Sequence, residues 1–210
     1  MKNTVVKNLV VASVLSPLAA FAQAGKTAPN TATYLMKEDI DKVSATEQSK
    51  STRDENVKVV GLGYENFAVG IVHRASTRTP APPPPAGAAA AQAQPCGRTM
   101  AALPAGGTPG GITHDFQTEG YIITSGGGTM FTDGYIVNGR HNPSPDLNGP
   151  TCGGMAYEVV KKVVKPGDII IIPAGVVHGW SDIDEHVDYL SFRPSPGILT
   201  AGWVHPVLKK

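Results

Sequence analysis

The chain has 210 residues, a net charge of +1 and an apolar fraction of 41%, which suits one domain with a real core rather than two. It carries no basic run and no basic stripe interleaved with aromatics, so nucleic acid is excluded as an expected partner. No repeat of solenoid period is present.

Lys2 and Lys7 precede an apolar run over residues 9–21, and Ala22-Gln23-Ala24 follows it. A positive start, a short apolar stretch and a small-residue cleavage site identify residues 1–24 as a signal peptide. The run is short and broken by Pro17, which argues against a membrane span. No cysteine follows it to carry a lipoprotein anchor. The mature protein is therefore expected to be exported, periplasmic or secreted, with no membrane attachment after cleavage. Residues 25–55 form a polar arm and a short amphipathic helix over 37–48, where Ile40 and Val43 stand at helical spacing. The apolar stripe is thin, so the helix is expected on the wall of the domain or against a partner subunit, which is compatible with a homodimer.

Residues 57–60 and 67–75 read as strands. Residues 79–111 are a Pro/Ala- and Gly/Pro-rich low-complexity insertion, expected as a surface excursion. Strands resume at 112–114, 121–124 and 129–132, and Asp133-Gly134 is a hairpin signal. Ser125 to Gly128 reads as a turn; no helix follows to make it a phosphate cradle. A second insertion is expected over 138–154, then a strand over 156–164. Pro166-Gly167-Asp168 is a tight turn. Ile169 to Ile172 are four consecutive β-branched residues, expected in a strand buried on both faces. Pro173-Ala174-Gly175 ends it, 176–178 opens the next strand, and 187–192 closes the series. Residues 199–210 are a tail, with Trp203 and His205 packing outside. The pattern is all-β: a single barrel or jelly roll over residues 56–198, with a short N-terminal helix and two loop insertions.

Two cysteines, Cys96 and Cys152, lie in turn-like surroundings of a chain expected to be exported. An oxidising compartment favours a bridge between them, and closing such a loop contributes about 3–4 kcal/mol.

The spacing Gly167, Pro173, Gly175, His178, Asp182 resembles the second motif of the cupin superfamily, which usually ends in Asn where this chain has Asp. Upstream, His114, a four-residue gap, Glu119 and then Gly126 resemble the first motif. That motif usually carries a further histidine two residues earlier, where this chain has Ile112. The resemblance spans roughly residues 64–192 and implies a small secreted single-domain cupin with a metal inside the barrel.

Strand parity leads to the same residues. Ile112 and His114 share a face, as do Glu119, Tyr121 and Ile123, and His178, Trp180 and Asp182. If the aliphatic members mark the interior, His114, Glu119 and His178 form a 2-His-1-carboxylate set, which suits Fe, Mn, Ni or Zn. Each has another reading: His178 as a hydrogen-bonded core histidine, His114 in a surface turn, Glu119 as an ion-pair partner. His73, Tyr121, Trp180 and Asp182 are the candidates to line a substrate pocket, and His73 could also supply a fourth ligand.

Three functions follow for this site. The first is a metal-dependent enzyme of dioxygenase, lyase or isomerase type acting on a small organic molecule. The second is a non-catalytic small-molecule binder, and the third a structural barrel without metal. No serine or cysteine nucleophile with a partnered histidine is apparent in the sequence, which disfavours covalent hydrolysis.

Overall fold

The computed structural model describes residues 30–46, 53–78, 94–143, 149–195 and 199–209. The expected signal peptide, most of the Pro/Ala tract and the middle of the second expected insertion lie outside them.

Among the described residues, twelve strands form two antiparallel sheets. The first sheet runs β1 (Arg53–Gly61), β2 (Asn66–Ala75), β12 (His186–Ser195), β5 (Glu119–Gly126), β10 (Ile169–Ile172). The second runs β3 (Pro95–Cys96), β7 (Tyr135–Asn142), β8 (Thr151–Tyr157), β4 (Thr108–His114), β11 (His178–Asp182), β6 (Gly128–Thr132), β9 (Val160–Val164). The core lies between them: Val72, Tyr121, Ile123, Ile172, Val187 and Tyr189 of the first sheet pack against Met130 and Val164 of the second. This is an all-β, two-sheet jelly roll, but its sheets are not closed into one hydrogen-bonded barrel.

Alternation explains the layers. On β12, Val187, Tyr189, Ser191 and Arg193 are all buried in the interior, because residues two apart share a face. The opposite face of the first sheet is covered by α1 (Lys37–Ser44) and a 3-10 turn (Pro206–Leu208). Val43, Ile40 and Leu35 pack there on Val57, Ile71, Leu190 and Leu208. The helix thus lies on the domain wall, and its last residue, Ser44, falls short of the expected end at 48. Asp133 and Gly134, with φ of 67° and 73°, turn the chain tightly between β6 and β7, but the expected hairpin does not form: β6 pairs with β9 and β11, and β7 with β3 and β8.

Several expectations differ from the structure. The first insertion contains β3, which pairs with β7, and most of β4. The described residues of the second are largely sheet: β7 extends to Asn142 and β8 begins at Thr151. The strand expected over 156–164 is two strands, β8 and β9, broken at Glu158, where φ is 56°. Glycine-rich composition hid these strands, because glycine carries no side chain to make an alternating pattern. The strand of four isoleucines is not buried on both faces: Ile169 and Ile171 are 66% and 73% exposed. The reason is topological, since β10 is the edge of its sheet.

Cys96 and Cys152 form a disulfide with Cα atoms 5.9 Å apart. It joins β3 to β8 across β7.

Candidate metal centre

Two crossings between the sheets build the centre at one end of the sandwich. Residues 115–118 carry the chain from β4 to β5, so His114 ends one sheet and Glu119 begins the other. Residues 173–177 carry it from β10 to β11, so His178 follows the return crossing. The Gly175 N–H donates to the His114 carbonyl over 2.8 Å, tying the two crossings together. This accounts for the four-residue gap and the turn before His178: both are the lengths of chain that pass between layers.

The three side chains meet in the interior, with His114, Glu119 and His178 only 4%, 1% and 4% exposed. Nε2 of His114 lies 3.3 Å and Nε2 of His178 lies 3.2 Å from the same oxygen, Oε2 of Glu119. Nδ1 of His178 sits 3.1 Å from the Val176 carbonyl; donating there, it turns the other ring nitrogen towards the carboxylate. Ligands about 2.0–2.2 Å from one cation stand about 3 Å apart when they subtend a right angle, so the donor set fits a first-row divalent metal without large movement.

Glu119 is held by more than the histidines. Arg193, 1% exposed, donates from Nε to Oε1 over 2.8 Å, and from Nη2 to Oδ2 of Asp54 over 2.6 Å. Gly70 leaves space for this guanidinium: a Cβ there would lie 3.3 Å from Nη1 and 2.9 Å from the Glu55 carbonyl. The Tyr121 hydroxyl donates to Oε2. Burial pushes the Glu119 carboxyl up, but hydrogen bonds from the two histidines and the charge of Arg193 outweigh it, so the group stays well below the usual carboxylate range. Burial, with Tyr189 and Glu119 alongside, pushes the Tyr121 phenol well above its ordinary value and keeps it a donor.

The other expected site residues divide. Tyr121 touches the centre, and its ring centroid is 4.3 Å from that of Tyr189, which is 6.0 Å from half-buried Trp180. His73 is not in the interior: it shares parity with Ile71, which packs under α1, and it pairs with Asp188 at 2.6 Å. It therefore cannot supply the fourth ligand. Asp182 is exposed at the rim beside Arg78, because a bulge between Trp180 and Asp182 breaks the parity that placed it inside. Ile112 pairs directly with His178 across the ladder. Sequence reading missed Arg193 and Asp54. Extending the strand beyond Phe192 would have found Arg193, on the face of Val187 and Tyr189.

No family model matches the chain, and no curated protein matches it. Solved structures do resemble it. An uncharacterized conserved protein with a double-stranded β-helix domain from Klebsiella pneumoniae is 12% identical, covering 80% of this chain and 95% of its own, with a TM-score of 0.40. The DMSP lyase DddQ from Ruegeria pomeroyi is 13% identical over 79% of this chain, with a TM-score of 0.34. A recombinant oxalate oxidase in complex with glycolate is 15% identical over 71% of this chain, with a TM-score of 0.34. The chain spans 57% and 54% of the length of the latter two.

Proposed function

We propose that this chain is an exported cupin that binds a divalent transition metal through His114, Glu119 and His178 and acts on a small organic molecule. The observation that carries this reading is the approach of two imidazole nitrogens to one buried carboxylate oxygen, at 3.3 and 3.2 Å. A metal held there by three protein ligands would keep open positions, where it would serve as a Lewis acid or in O₂ activation. The chain's own residues would do the rest. Arg193 fixes the carboxylate plane through Oε1, His178 is oriented by the Val176 carbonyl, and Tyr121 holds its proton on the oxygen nearest the histidines. The disulfide between Cys96 and Cys152 supports the export part of the reading, since such bonds persist in oxidising compartments.

Elemental analysis of the protein purified from the exported fraction tests the metal. One first-row metal per chain, lost in His178→Ala, is the expected result; a variant that keeps full metal content removes His178 from the centre.

A second reading has its own observation. Arg193 compensates the buried charge of Glu119 without any metal, which favours a metal-free barrel that binds a small molecule or is structural. Absence of metal from correctly exported protein selects it.

A further inference from the structure

Four of the exposed large apolar side chains, Val160, Val163, Ile169 and Ile171, lie on just two strands, β9 and β10. These strands are consecutive in the chain but belong to different sheets, and each is the last strand of its own. Residues of both line a cavity of about 670 Å³, within the range of about 300–1,000 Å³ typical of small-molecule sites. The seam is the line along which this jelly roll is left open.

The floor of the seam leads to the centre. It includes Ile172, which pairs with Glu119 across the β5–β10 ladder, and Thr132, which pairs with His178 across the β6–β11 ladder. Directly paired residues point to the same face with Cβ atoms about 4.5–5.5 Å apart. Val176, whose carbonyl sits beside Nδ1 of His178, also lines the seam. The cavity is thus one side chain away from Glu119 and His178, which are themselves sealed from solvent. No ladder hydrogen bond between β9 and β10 has to break for a molecule to pass; side chains on the floor have only to rotate.

The lining also selects the molecule. Its walls are mostly aliphatic, and its rim offers one ammonium (Lys162) and two carboxylates (Asp133 and Asp168). That balance gives an anion no net attraction. We propose that the seam between β9 and β10 binds a neutral, largely apolar organic molecule and is its route to His114, Glu119 and His178. This deepens the proposed function and rests on it for the identity of the centre.

The probe is N-phenyl-1-naphthylamine, a neutral apolar fluorophore, added to the exported protein after treatment with chelator. Saturable emission enhancement is expected with one probe per chain. Thr132→Trp fills the floor. Ile171→Asp puts a charge at a lip position that is 73% exposed and cannot disturb the core. Each should weaken probe binding about tenfold or more, since desolvating a charge opposes apolar binding. Diethyl pyrocarbonate modification, read residue by residue by mass spectrometry, tests the route. Probe at ten times its Kd should slow modification of His114 and His178 about tenfold by occupancy and leave His73 and His141 unchanged. Unaltered binding in both variants overturns the proposal, as does equal modification of His178 with and without probe. Probe binding that falls as the protein dimerises on concentration assigns the seam to a second copy and also overturns it. Because the protein is metal-free throughout, a failed metal assignment leaves these results intact, and the two failures are distinguished.

Discussion

Arg193 and Glu119 divide the carboxylate between them: Nε of the guanidinium takes Oε1 at 2.8 Å, which leaves Oε2 to face Nε2 of His114 and His178. One oxygen anchors the side chain to the first sheet and the other serves the centre. The guanidinium is planar and forked, so it fixes the orientation of the carboxylate as well as its charge.

Arg193→Met leaves buried Glu119 and half-buried Asp54 without their cation. Breaking a buried pair from one side typically costs about 3–5 kcal/mol, so the urea midpoint should fall by a corresponding amount. Arg193→Lys keeps the charge and loses the fork; it should recover part of the stability and less of the metal content. Equal midpoints for wild type and Arg193→Met would show that the pair contributes nothing to the fold.

Stability should also depend on acid through Glu119. Its carboxyl is held below the usual range in the folded chain. A depressed group contributes stability that is fully present above the unfolded value of about 4.3 and is lost as pH falls through the folded value beneath it. Denaturation free energies measured at a series of pH values should therefore decline below about pH 4.3. Glu119→Gln should have a flatter profile in that window and lower stability at neutral pH. A profile with the same slope as wild type would assign the acid sensitivity to other carboxylates.

The sequence made the fold class legible because aliphatic alternation and turn chemistry agree along most of the chain: Asp133-Gly134 is a tight turn, though not the hairpin its residues suggest, and residues 66–75 are a strand. The centre was legible for a similar reason, as His114, Glu119 and His178 stand at the ends of interlayer crossings whose length is fixed by the sandwich. What parity could not reveal was which face of β2 meets the core. Ile71 is as apolar as Val72 but packs under α1, so His73 went to the wrong side. Nor can residue type report that a strand lies at an edge: four isoleucines read as interior wherever they fall. The ion pair between Arg193 and Glu119 joins residues 74 apart in sequence, and no local pattern announces it.

The disulfide joins residues separated by 56 positions. Chain-entropy reasoning gives a loop of that size about 4 kcal/mol of stabilisation. Cys96→Ala with Cys152→Ala should lower the unfolding free energy by up to about that amount, and titration of denatured, unreduced wild type should find no free thiol. Two thiols per chain would mean that the bridge does not form in the exported protein.

Ile112 provides the sharpest test of the centre. It is half-buried, two residues before His114 on the same strand, and directly opposite His178 in the ladder, so its side chain points to the face that carries both histidines. An aliphatic side chain cannot ligate, and a cation held by His114, Glu119 and His178 keeps a position for water or substrate. Ile112→His supplies a fourth donor at that position. It should tighten binding of a first-row metal by about tenfold or more, since each tenfold needs only about 1.4 kcal/mol, as read by competition with a chromophoric chelator. Affinity in both proteins should fall on acidification, because the imidazoles must be neutral to ligate. If wild type takes up no metal at neutral pH while Ile112→His does, the native centre is an ion-paired carboxylate between two histidines. In that case Arg193 is the cation that Glu119 was built to meet.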